Sequence, residues 1–330
     1  MTIKDIARLA EVSRGTVDRV LNNRGGVSQE TEKKIAEIMN VNNYVPNIAG
    51  KILANKKNPL TFGVIIPKIG NDFFIDVIIG INRAVSELCD FGIKVVIKEI
   101  EGYNTDVQLD AVENMKGING LIIAPANDER LTKKLSSLKI PIIAINTDIE
   151  NSDRLCYIGH EFKKGGRTAA GLMNLFTSGE VNVGIVTGFT TVLGHNYRIS
   201  GFLEVIKEQY KNINLTDITE SHDNDETAFL ETEKMLKRHP EINALYVTAG
   251  GVSGVCRAAA GKSLTIITYD DIPDTKKFIL DGTIKATLCQ EPVKQGYQSV
   301  KTLFDYLISG KPPENEYMYT DVIIKIKENM

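Results

Sequence analysis

The sequence predicts an all-α helix-turn-helix head followed by an α/β body of two doubly wound parallel-sheet lobes. Two patterns carry this. Residues 1–45 read as helices with short breaks, and from Leu60 onward short apolar strands alternate with helices. About 270 residues of that alternation is too long for one small sheet and suits two lobes.

The elements follow in order. "IKDIARLAEV" sets Ile3, Ile6, Ala7 and Ala10 at i, i+3, i+4, i+7, one helical face. "VSRGTVDRVLNN" starts from Ser13 as N-cap, with Val17, Val20 and Leu21 as its apolar side. "VSQETEKKIAEIMNV" starts from Ser28 without a strict capping box, and Ile35, Ile38 and Met39 form its stripe. In the body, "TFGVIIP", "IKVVIKEI", "GLIIAP", "PIIAIN", "CYIGH", "NVGIVTG", "NALYVTAG", "LTIITYDD" and "IKATLCQ" read as strands. Helices over 75–88, 162–176, 196–209 and 292–308 lie between them.

Composition narrows the classes. Charged residues make up 25% and the hydrophobic set 42%, a globular mixture. Apolar runs such as "VIIP" and "LIIAP" are too short to span a bilayer. "MTIKDIARLA" is charged throughout and has no signal-peptide core, so a cytoplasmic location is expected. Cys89, Cys156, Cys256 and Cys289 form no CxxC pair and read as buried thiols rather than a metal or disulfide site. The net charge of −3 is uneven. Residues 1–58 hold ten Lys/Arg against six Asp/Glu, so a basic end sits on an acidic body, which hints at a polyanion partner.

Two short helices joined by a tight turn, then a third, describe a helix-turn-helix domain. Its second helix carries Arg14, Gly15, Thr16 and Arg19 near the end that would enter a groove, and Arg can bond bidentately to guanine. Thr2, Ser13, Asn22, Ser28 and Thr31 are short polar groups near helix starts, suited to phosphate. A plain three-helix bundle with a solvated face is the other reading of the same spacing.

The run T-I-x-D-I-A-x-x-A-x-V-S-x-x-T-V-x-R-V-L-N, then V-S-x-x-T, then "YVPN" and Leu53, resembles the DNA-binding head of the lactose-repressor (LacI/GalR) family. The resemblance extends over nearly the whole chain. It implies a pseudo-palindromic double-stranded operator, a small effector, a homodimer, no membrane, no cofactor and no metal. It implies that Arg14 and Gly15 open the recognition helix. Tyr44, Asn47, Lys51 and Leu53 fall on the family's hinge helix, which would make residues 46–59 hinge and linker. That segment is short and carries Gly50, so it is weak alone; in relatives two such helices fold together in the minor groove, with leucines as wedges. Glu11 stands where the family usually has Gly in the turn, and Asp18 replaces the common Ser.

The family's body resembles periplasmic sugar-binding proteins, so residues 60–330 would form the ligand-binding body. The chain would cross between lobes near His160, Gln290 and Thr320. That gives a first lobe of about 60–160 and 291–320 and a second of about 161–290 and 321–330. Phe73 and Phe74 sit where relatives stack a ring on the sugar; core packing is the alternative. Asn146 and Thr147 replace an Asp-Arg pair of relatives. Arg198 in "RISGF" matches an arginine that forks onto ligand oxygens. His195 lies close by, either facing ligand or as a solvated neighbour of a helix start. Gly250 and Gly251 could bring backbone N–H groups to the ligand, where Ala249 lacks the relatives' Asn or Asp. Asp270 in "ITYDD" would accept sugar hydroxyls or else cap a helix, and Gln290 would face the cleft.

The expected function is therefore a ligand-responsive DNA-binding repressor whose effector is a sugar or polyol, with a purine or nucleoside as the alternative effector. A sugar-modifying enzyme is the competing class. The chain has no GxSxG, P-loop, HExxH or GxGxxG at a first βα turn, and His160, His195, His222 and His239 show no ligand spacing.

Overall fold

The computed structural model describes residues 1–21, 25–42, 59–68, 73–190 and 192–330. The chain forms two compact units, Met1–Ala54 and Asn55–Met330.

In the first unit, α1 (Ile3–Ala10), α2 (Arg14–Leu21) and α3 (Gln29–Val41) close around Ile6, Ala7, Ala10, Val17 and Ile35. Thr2 and Asp5 form a reciprocal capping box on α1, and Ser28 accepts from the Thr31 N–H at the start of α3. Glu11 takes φ 60°, ψ 40° at the end of α1. The turn thus keeps the left-handed geometry that glycine would adopt without cost, at an expense of about 1 kcal/mol or more for Glu.

The second unit holds two six-stranded sheets. The first comprises β1 (Leu60–Lys68), β2 (Ile93–Glu101), β3 (Gly120–Ile123), β4 (Ile142–Ile145), β5 (Cys156–His160) and β11 (Tyr317–Thr320), in the order β11-β5-β4-β3-β1-β2. The second comprises β6 (Val181–Thr187), β7 (Ile213–Glu220), β8 (Ala244–Val247), β9 (Thr265–Tyr269), β10 (Ile284–Cys289) and β12 (Ile323–Lys325), in the order β12-β10-β9-β8-β6-β7. The two orders correspond strand for strand. They differ at the last strand: β11 pairs parallel to β5, whereas β12 runs antiparallel to β10.

Helices cover both faces of each sheet. The first lobe uses α4 (Phe73–Leu88), α5 (Thr105–Asn114), α6 (Glu129–Ser137) and α12 (Pro292–Ser309). The second uses α7 (Phe162–Phe176), α8 (Leu193–Glu208), α9 (Asp225–Arg238), α10 (Val252–Ala258) and α11 (Pro273–Leu280). With apolar clusters on either side, the central strands β3, β4 and β8 are apolar and buried along their whole length, as burial on two faces requires. The chain passes between the lobes after His160, after Cys289 and after Thr320.

Three strands escaped the sequence pattern: β7, β11 and β12. Each lies at a sheet edge, where one side of the ladder is open and polar residues are tolerated. Two helices also begin earlier than periodicity suggested, α4 at Phe73 and α8 at Leu193. Cys156, Cys256 and Cys289 are buried, but Cys89 is exposed, against the expectation of four buried thiols.

Candidate functional site

Each strand of an open parallel sheet ends in a loop, and those loops face the other lobe here. All eight residues singled out for the ligand line one small cavity between the lobes, of about 40 Å³. That is room for a few water molecules. Phe73 and Phe74 open α4 after β1. Asn146 follows β4, His195 and Arg198 lie on α8 after β6, Gly250 follows β8, Asp270 follows β9 and Gln290 follows β10. The arrangement obeys the rule that ligands sit outside the carboxyl ends of the strands.

Arg198 is the centre of the site. It is 4% exposed, and its guanidinium lies 3.8 Å from the centroid of the Tyr269 ring and 5.1 Å from that of Phe162. One Nη donates to the Thr248 carbonyl, while Nε has no partner. Glycines in "KKGGR" and "RISGF" set its position. A Cβ on Gly166 would come within 1.9 Å of the Arg198 carbonyl oxygen, and one on Gly201 within 2.1 Å of the Lys163 carbonyl oxygen. Only glycine permits α7 and α8 to approach this closely, and that approach holds Arg198 against the cavity.

Three lining residues turn back on themselves. Asn146, Asp223 and Asp270 have φ of 60°, 53° and 68°. Asn and Asp are the side chains that best tolerate this region. At a strand end, such strain of about 1–3 kcal/mol per residue points to function. Asn146 is held by Tyr103, whose hydroxyl donates to its Oδ1 at 3.0 Å, and by Tyr157, whose hydroxyl donates to its carbonyl at 2.9 Å. Asp270 accepts from Gln290 Nε2 at 2.8 Å, and burial raises its carboxyl above the ordinary range while Arg198 opposes the rise. It does not cap a helix: the N-cap of α11 is Ile272. Gln290 is 2% exposed, and its Oε1 has no partner.

His195 is not a solvated neighbour of the helix start. It lines the cavity, its Nδ1 lies 3.1 Å from the donating N–H of Phe189, and burial pushes it down to about 4. Gly250 needs a different correction. Its N–H is taken by Asp223 Oδ1 at 2.7 Å, so it does not offer a free donor. Asp223 supplies a carboxylate beside Ala249. A Cβ on Gly188 would lie 2.5 Å from both Asp223 Oδ1 and His195 Cε1, which puts these two groups side by side. Thr147 is spent on structure, donating to the Pro125 carbonyl, and Asp148 pairs with the buried Arg154. Phe73 and Phe74 meet edge to face at 5.2 Å, pack in the core and line the cavity.

Sequence reasoning missed Tyr103, Phe162, Val192, Gly194 and Asp223. Tyr103 follows β2, which the sequence did show, so the strand-end rule would have found it; Asp223 follows β7, which the sequence did not show. A larger void of about 520 Å³ adjoins the first and shares Phe73, Asp270 and Gln290 with it.

In the head, Arg14, Gly15 and Arg19 are exposed along α2, and Thr16 is half-buried. The hydroxyls at the helix starts are already engaged: Thr2 with Asp5, Ser13 with Thr16, and Ser28 with Thr31. Thr2 in particular shares its helix start with a carboxylate, which weakens its case as a phosphate contact. Asn22, Tyr44, Asn47, Lys51 and Leu53, and with them the hinge helix, lie outside the described residues.

Comparison with known proteins agrees with both units. Residues 2–47 match the domain described as bacterial regulatory proteins, lacI family, and residues 62–312 match the periplasmic binding protein domain. The chain is 28% identical over 286 residues to the ribose operon repressor of Halalkalibacterium halodurans, covering 82% of this chain and 81% of that protein. It is 27% identical over 271 residues to catabolite control protein A of Priestia megaterium, covering 81% and 79%. Among solved structures it resembles GanP, a glucose-galactose binding protein from Geobacillus stearothermophilus, with TM-score 0.76 and 26% identity over 82% of this chain and 99% of that one.

Proposed function

For a chain that belongs to the lacI family of bacterial regulatory proteins, we propose a sequence-specific DNA-binding repressor whose operator affinity is set by a sugar or polyol held between its lobes. The observation that carries this is the small cavity between the lobes. Loops from both lobes bring aromatic faces, one buried arginine and two carboxylates to one point. Rings stack on the apolar C–H face of a sugar, and charged or amide groups meet the hydroxyls at its rim. The names of the relatives, a ribose operon repressor and a glucose-galactose binding protein, support the same class.

The head supplies the second half of the reading. Arg14 and Arg19 stand exposed on α2, the helix that would enter the major groove. Two copies pairing through their first lobes would present two heads to two half-sites. Ile75 and Ile79, exposed one turn apart on α4, support that face. Ligand binding closes the lobes, shifts the spacing of the heads, and so changes operator affinity; DNA reciprocally changes ligand affinity. On the family resemblance, a hinge around Gly50, outside the described residues, would couple such a shift to the operator.

A thermal-shift screen of sugars, inositols and nucleosides on the purified chain tests the effector class. Stabilisation by a sugar or polyol is expected, and stabilisation by nucleosides alone would overturn it. Deleting residues 1–58 should abolish DNA binding and leave ligand binding intact.

A further inference from the structure

The hydrogen-bonding groups around the cavity are unbalanced in a way that bears on the charge of the ligand. Among the described lining residues there is one cation, Arg198, and there are two carboxylates, Asp223 and Asp270. His195, uncharged near neutral pH, does not offset them. Two deeply buried groups have unspent capacity: Arg198 Nε as a donor and Gln290 Oε1 as an acceptor. The carboxylates add further acceptor positions, because Asp223 accepts one backbone N–H and Asp270 one amide N–H. The site therefore sets two carboxylates and the Gln290 oxygen against one charged donor, Arg198; the Asn146 amide and the His195 Nε2–H, with Nδ1 accepting from Phe189, add only neutral donors.

A hydroxyl group both donates and accepts, so a polyol ring meets this pattern. It gives protons to Asp223, Asp270 and Gln290 and takes one from Arg198. A carboxylate or phosphate on the ligand only accepts. It would pair with Arg198 but face two carboxylates, in a site whose charges already sum to −1. We propose that the cavity selects an uncharged ring with adjacent hydroxyls and rejects the matching sugar acid or sugar phosphate, with Asp223 enforcing the rejection. This rests on the cavity being the effector site.

Asp223 is the discriminating group for a structural reason. Asp270 is held by Gln290 and lies near Arg198, its partial counter-charge. Asp223 comes from the loop after β7, beside His195 across Gly188, and brings a second negative charge that Arg198 alone does not cancel. One uncompensated unit charge at about 5–6 Å, at an effective dielectric constant of about 20, corresponds to about 100-fold in affinity.

The test uses the full chain and matched pairs: glucose with glucuronate and glucose 6-phosphate, and galactose with galacturonate, along with xylose and myo-inositol. Binding is read by calorimetry. At least one neutral compound should bind, with its acid or phosphate counterpart about 100-fold weaker. Asp223→Asn should narrow that gap to about 10-fold or less. An acid or phosphate binding within tenfold of its neutral counterpart would overturn the inference, as would an Asp223→Asn variant with the gap unchanged. In both cases the sugar reading itself would stand. If no compound of either kind binds, the sugar reading fails and the charge rule with it.

Discussion

Replacing Arg198 by Met probes the site with little change of volume. In the wild type, Arg198 contributes three things: a bond to the Thr248 carbonyl, a face-on contact with Tyr269 at 3.8 Å, and an Nε with no partner within the protein. Met keeps the apolar stem and a sulfur against the rings. The orphaned Thr248 carbonyl costs about 1–3 kcal/mol, partly offset because a buried charge has been removed. The melting temperature should therefore fall by no more than about 6 °C for a body of this size. Ligand affinity should suffer more specifically. Loss of a hydrogen bond from a charged donor is worth about 1.5–3 kcal/mol, or about 10–150-fold in Kd. Isothermal titration with the sugar found by screening measures this, and fluorescence anisotropy with operator DNA in the absence of sugar serves as control. Operator binding without sugar should be close to wild type. A folded variant that binds the sugar within twofold of wild type would refute the placing of Arg198 at the ligand.

Gly201→Ala should lower thermal stability by about 1–3 kcal/mol and weaken ligand binding, since its Cβ would lie 2.1 Å from the Lys163 carbonyl oxygen and must push α8 away from α7; full affinity with unchanged melting would contradict the close-packing account. Gly15→Ala should leave the head folded, because the new Cβ would meet only Ser13 Oγ at 3.6 Å, yet change operator preference in a binding selection. An unaltered preference would mean that Gly15 does not face bases. Gly50→Ala should raise operator affinity and blunt the response to ligand, as measured by anisotropy titration. Burial pushes His160 down to about 3 and His195 down to about 4. The unfolded chain then binds the extra protons, so stability is full above about pH 6.5 and falls on acidification towards about pH 4, by up to about 1.4 kcal/mol per pH unit for each histidine. Denaturant midpoints between pH 7 and 4.5 should show a shallower fall in His160→Gln than in wild type.

What the sequence made legible depended on burial. Central strands such as "GLIIAP" are apolar on both faces and could be read directly, and with them the residues at their ends: Asn146, Gly250, Asp270 and Gln290. Edge strand β7, "INLTDITE", alternates acids and hydroxyls among partly exposed positions and did not read as a strand. Asp223 at its end was hidden for that reason. Arg198 was legible because "RISGF" resembles a family motif, and the structure gives the physical meaning of its spacing to Gly201: the glycine lets two helices touch where the arginine must sit. Engagement of the Gly250 N–H by Asp223 was beyond reach, because it joins loops 27 residues apart. The helices of the head were legible from their caps and apolar stripes, which meet around Ile6, Val17 and Ile35; that the bundle is a DNA-binding head was legible only through the motif it resembles.

The central claim is that the interlobe cavity governs the head. It is tested most directly by measuring operator affinity of the full chain with and without saturating sugar, and sugar affinity with and without saturating operator. The account predicts that both change by the same factor, about 5–150-fold, and that Arg198→Met keeps operator affinity without sugar while needing far more sugar for the same shift. A sugar that binds the cavity tightly and leaves operator affinity unchanged would contradict it.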